Sequence, residues 1–99
     1  MKLYGLAHSR TGDKGNTSNI SVIAYRAEDF PRICQEVTAE RVQEWFASLG
    51  VSRVERYELP QLAALNFVLH SALGGGVTAS TALDKHGKSL SSYLLDMDL

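Results

Sequence analysis

Residues 37–50 carry a full set of helix signals, and they constrain the fold more than any other stretch of this chain. Thr38 is a good N-cap, and Val37 and Val42 stand at the positions of a hydrophobic staple. Val42, Trp45, Phe46 and Leu49 form one apolar stripe at i, i+3, i+4 and i+7, and Gly50 follows as the C′ residue. The segments on either side have a different character. Residues 2–8 and 19–26 read as strands before the helix, with Ile20, Val22 and Ala24 on one face of the second and Ser21, Ile23 and Tyr25 on the other. Residues 51–58 and 65–71 read as strands after it, separated by Pro60. A short helical turn is predicted around Asp29–Glu36, with Pro31 early, where a helix tolerates it. A last helix is predicted over 88–96, with Leu90, Leu94 and Met97 on one side.

The resulting order is β-β-α-β-β-α, a ferredoxin-like β-α-β-β-α-β layout with its last strand moved to the front. It predicts an α+β two-layer sandwich: a four-stranded, mainly antiparallel sheet of order 1-2-4-3 with both helices on one face. The right-handed crossover rule is taken to make strands 2 and 4 parallel central neighbours. With 99 residues the chain is expected to form a single domain over 1–99, and 44% apolar residues suffice for a core without staples. An exposed edge at strand 3 and the small core predict self-association.

Composition narrows the function classes. A formal net charge of -1 gives no global field for nucleic acid or an anionic membrane. One cysteine, Cys34, excludes an internal disulfide framework and fits a reducing compartment; its apolar setting points to core packing. The lone cysteine and three histidines form no zinc-knuckle pattern, and no metal or other cofactor is implied. No signal peptide or membrane span is apparent, so a cytoplasmic protein is expected.

The densest polar stretch is Ser9-Arg10-Thr11-Gly12-Asp13-Lys14-Gly15-Asn16-Thr17, read as a loop between the first two strands. Gly12 and Gly15 allow positive φ, so successive N–H groups can form an anion-binding nest. Arg10 can clamp a carboxylate or phosphate, Lys14 can add a point charge, and Asn16 can orient the ligand. An internal Arg10–Asp13 pair holding a long hairpin loop is the alternative. The residue order does not match a Walker A loop. The Gly12–Gly15 spacing matches a KH-type GXXG, but the flanking strands and near-neutral charge argue against RNA.

Asn66 and His70 interrupt an apolar strand and fall on the face of Val68, as groove-lining groups or satisfied core polars. His8 closes the first strand and, with Asp13, is a candidate acid–base pair. The expected sheet places His8, the loop, Asn19 and Asn66 at one end, and His70 and Gly74-Gly75-Gly76 at the other. The triple glycine fits either a flexible loop or close backbone approach to a ligand. Extended structure is expected near Thr78–Leu83, and His86 sits in an exposed turn.

Two long motifs, Ala7–Ile20 and Leu65–Thr78, continued by Leu83–Leu90, resemble the small C-terminal domain of AtuA-type (acyclic terpene utilisation) proteins. The R-x-G-D-K-G-N and L-G-G-G-V-T signatures carry the resemblance, which covers nearly the whole chain. It implies a ferredoxin-like domain without an iron–sulfur cluster, usually following a large domain and here similar to the standalone version. It also implies catabolism of branched or terpenoid acids as CoA thioesters. Three roles stay open. One is an accessory subunit that docks on a separately encoded AtuA-like chain and completes an acyl-CoA or acidic-metabolite site. The others are a homo-oligomeric hydratase, lyase or isomerase, and a structural oligomerisation domain. Candidate ligand-binding residues are Arg10, Gly12, Lys14, Gly15, Asn16, Asn66, His70, Gly74, Gly75 and Gly76.

Overall fold

A computed structural model describes residues 1–14, 17–71 and 90–99. The elements are β1 (Ala7–Lys14), β2 (Thr17–Ala24), α1 (Phe30–Glu36), α2 (Ala39–Phe46), β3 (Val51–Leu59), β4 (Ala64–Ser71) and α3 (Leu90–Leu95). The four strands form one sheet in the order β1-β2-β4-β3, as expected. The fold is α+β and ferredoxin-like, with the described helices packed on one face of the sheet.

The expected parallel pairing of β2 and β4 is wrong. Every neighbouring pair in the sheet is antiparallel. The helical crossover returns the chain in the direction of β2, and the strand it reaches is β3, one place further along. The turn after β3 then sends β4 back into the gap, antiparallel to both neighbours.

The first strand also begins and ends later than expected. Leu3–Gly5 form a 3₁₀ turn, and β1 starts at Ala7 and runs through Lys14. Ser9 to Lys14 are therefore strand, paired with Thr17–Val22, and only residues 15–16 separate the paired ends. The ladder takes up the backbone donors and acceptors of this segment that face β2, so they are not left to a ligand.

The core lies between sheet and helices. Ile20, Val22, Leu65, Phe67 and Leu69 point from the central strands toward Ile33, Val42, Phe46, Leu90 and Leu94. β2 alternates strictly between half-buried and buried residues along its length, the pattern of a sheet with one face packed on the core. Helix α2 starts where its sequence signals stand but ends at Phe46, and Gly50 closes the 3₁₀ turn that follows it. Thr38 Oγ1 accepts the Arg41 backbone N–H at 3.2 Å, Val37 and Val42 are fully buried, and Gly50 adopts φ 86°. A 3₁₀ turn, Ala47–Leu49, completes the last part of the predicted helix.

Helix α3 is fixed by specific ties. Trp45 Nε1 donates to the Tyr93 carbonyl at 2.8 Å, and Leu90, Leu94 and Met97 are all buried. Leu3 N–H donates to Met97 O, and Leu99 N–H to Met1 O. No helix among the described residues is long and apolar enough to cross a membrane.

Candidate functional site on the open face of the sheet

Period-two alternation sends the other half of each strand to the face on which no described helix packs. Register then fixes which side chains are neighbours there. Arg10 stands beside Ser21, then Asn66, then Tyr57 in one row across all four strands. The next row holds Gly12, Asn19, Val68 and Glu55. Thr17, His70 and Arg53 follow at the end nearest the β1–β2 connection. His8, Ile23, Ala64 and Leu59 occupy the opposite end, where the His8 ring stacks on exposed Tyr25 at 5.3 Å.

Asn66 and His70 thus lie on a face that no described element covers, not among the core side chains; both are half-buried. Arg10 is exposed on the same face and makes no ion pair with any described side chain. Two sequence-based placements are corrected. His8 lies far from the β1–β2 connection, because β1 runs on to Lys14 and pairs His8 with Ile23, and His70 lies beside it, because antiparallel pairing sets Thr17 opposite His70. Asn66 is central, not terminal. His8 and Asp13 do not share a site: five residues of extended strand separate them by about 17 Å.

The glycine nest is also absent at Gly12. This residue is extended, with no positive φ, and its backbone pairs with Asn19. A Cβ built there meets no atom within 4 Å, so neither strain nor crowding requires glycine. Gly12→Ala is expected to raise stability by up to about 1 kcal/mol, read as a higher urea midpoint. A lowered midpoint would show that the backbone needs glycine after all. The side chains of Asp13 and Lys14, and Gly15, Asn16, Gly74, Gly75, Gly76, Thr78–Leu83 and His86, lie outside the described residues.

Sequence reasoning missed Arg53, Glu55 and Tyr57. Glu55 Oε2 lies 3.1 Å from His70 Nε2, and Glu55 Oε1 lies 3.3 Å from Arg53 Nη2. The His70 hydrogen bond, aided by Arg53 and opposed by partial desolvation, holds the Glu55 carboxyl below its ordinary range. A depressed carboxyl stabilises the fold above its unfolded-state pKa, and this contribution fades as pH falls through the lowered value.

Other groups have structural roles. Ser9 and Thr11 face the helices: Thr11 Oγ1 accepts the Ser91 N–H at 3.0 Å. Cys34 is half-buried, and burial together with the Glu58 charge pushes its thiol up, so it remains a protonated, poor nucleophile. Two surface cavities lie away from the Arg10 row. One of about 320 Å³ is lined by Glu40, Gln43, Glu44, Ala47 and Val51. The other, of about 450 Å³, is lined by Glu58–Leu62. Among the described residues, no group of three or more His, Cys, Asp and Glu is arranged to hold a metal ion.

Comparison with known proteins gives one match. The model of a family described as the AtuA ferredoxin-like domain matches residues 1–99. No curated protein and no solved structure matches the chain.

Proposed function

The chain belongs to the AtuA ferredoxin-like domain family, and from that premise we propose that it is an accessory subunit whose open sheet face docks on a separately encoded large AtuA-like chain. Together the two complete a site for an acyl-CoA or another acidic metabolite. One observation carries this reading. The Arg10 row spreads a cation, a hydroxyl, an amide and a phenol over a sheet face that no described element covers. A flat polar face gains affinity only when a second surface excludes water from it. Arg10 then meets the anionic part of the ligand, and Asn66 orients it. The single cysteine agrees with a cytoplasmic setting.

The test is a pull-down from the native cell at endogenous level, with the bound small molecule identified by mass spectrometry. A large AtuA-like chain is expected in the eluate. Arg10→Ala is expected to lower ligand occupancy by about tenfold or more, the size of one charge-assisted hydrogen bond. Recovery of the small chain by itself, with no larger partner, would overturn the docking reading. The alternative of a homo-oligomer, as an enzyme or a structural module, draws on the two edge strands: β1 and β3 each pair on one side only. Light scattering separates it, since a monomer in isolation leaves no basis for self-assembly.

A further inference from the structure

The open face carries a second cluster, independent of Arg10. Where β4 meets β3, His70 and Glu55 are joined at 3.1 Å between Nε2 and Oε2, and Arg53 reaches Glu55 Oε1 at 3.3 Å. We propose that His70 and Glu55 form a histidine–carboxylate dyad, with His70 Nδ1 as general base toward a carbonyl compound carrying an acidic α-carbon, such as an acyl thioester.

The geometry argues for this in three steps. An ionised carboxylate only accepts hydrogen bonds, so the ring nitrogen facing Glu55 carries the proton. That fixes the Nε2–H tautomer and leaves the lone pair on Nδ1. Nδ1 has no hydrogen-bonding partner among the described residues, and the ring is half-buried on the face that no described element covers. Arg53 Nη2 also lies 3.3 Å from Nε2. Both atoms are donors in this tautomer, so the contact between them is not a hydrogen bond; both serve the one Glu55 carboxylate. The result is a base held in orientation by a carboxylate, with a guanidinium alongside that has further donors to offer.

The step balances without a co-reactant. Nδ1 takes a proton from the carbon next to the carbonyl, and the C–H electron pair moves into an enolate whose charge rests on the carbonyl oxygen. The imidazolium trades its Nδ1 proton with solvent and delivers a solvent-derived proton to the same carbon, giving exchange, or it passes the abstracted proton to a conjugated carbon, giving a shifted double bond. Glu55 acts as a positioning residue and stabilises the transient imidazolium.

The probe is phenylacetyl-N-acetylcysteamine, incubated with the full chain in deuterium oxide, with loss of its α-proton signal followed by NMR. Exchange about 10²-fold above buffer is expected, the usual scale for a positioned base. His70→Gln is expected to return it to the buffer rate, and Glu55→Gln to slow it about tenfold. Imidazole nitrogen shifts supply a readout that needs no turnover: the wild-type ring is expected as the Nε2–H tautomer, and Glu55→Gln as a tautomer mixture. Circular dichroism confirms that each variant folds. Wild-type exchange at the buffer rate, or exchange unchanged in His70→Gln, would overturn the dyad. This outcome is separable from the docking reading, because a chain that exchanges the probe but retains no larger partner would sink only the latter.

Discussion

Phe46→Ala is expected to destabilise the fold by about 3–5 kcal/mol, the largest effect of any substitution considered for this chain. Phe46 is fully buried at the end of α2, with its ring 5.2 Å from the Tyr93 ring at an interplanar angle of 58°. Tyr93 also packs on Trp45, which holds its carbonyl. Removing the Phe46 ring leaves a cavity where α2 and α3 meet, and the backbone ties around it limit collapse. On a domain this size the loss corresponds to a midpoint lower by on the order of 15 °C or more. Thermal unfolding followed by circular dichroism measures it. Phe46→Leu, which keeps most of the volume, is expected to lose less than half as much; equal losses would show that ring geometry, and not filled space, is what matters.

Arg56→Ala is expected to destabilise by about 1.5–3 kcal/mol, the range for hydrogen bonds to charged groups. From β3 its Nη1 donates to the Cys34 carbonyl at 2.7 Å and the Val37 carbonyl at 3.3 Å, and Nη2 pairs with Glu58 at 2.9 Å. Cys34 and Val37 stand at the C-terminal end of α1, where carbonyls lack helical partners and the helix dipole favours a cation. The Glu58 pair is half exposed and contributes little. Urea unfolding is expected to show a lower midpoint at unchanged slope. A midpoint equal to wild type would mean that water replaces the guanidinium at both carbonyls.

Much of the fold was legible because its signals are local. Thr38, Val37 and Val42 mark the start of α2 by chemistry that acts within one turn, and Gly50 stops the helical segment, although its last turn, Ala47–Leu49, is 3₁₀. β2 showed itself through strict alternation. The polar segment 9–14 did not, because its strand character comes from pairing with β2 and not from any apolar pattern. Ser9 and Thr11 face the helices without being hydrophobic, so the alternation left no mark in hydropathy. β3 was legible as a strand, but which of its residues share the open face was not. Arg56 shares the helix side with Val54, which breaks the polar–apolar alternation that would have marked Arg53, Glu55 and Tyr57 as one face.

The candidate residues divide in the same way. Arg10, Asn66 and His70 were recognisable as polar groups on strands or beside them, and they do share one face of the sheet. Which of them are neighbours was not readable: ending the first strand at His8 put that residue beside the connection, and the expectation of a parallel β2–β4 pair put His70 at the wrong end. Strand direction is decided by the connections on either side of a strand, and one wrong direction inverts every row.

By itself, the sequence determined the elements, their order and the strand order β1-β2-β4-β3, because caps, periodicity and a single crossover leave few alternatives. Only the tertiary structure decided that the polar stretch is mostly strand, and that Arg10 lines up with Ser21, Asn66 and Tyr57. It also placed His70 against Glu55. Those juxtapositions join residues far apart in the chain. They follow from antiparallel register, a property of the assembled sheet that no single segment encodes.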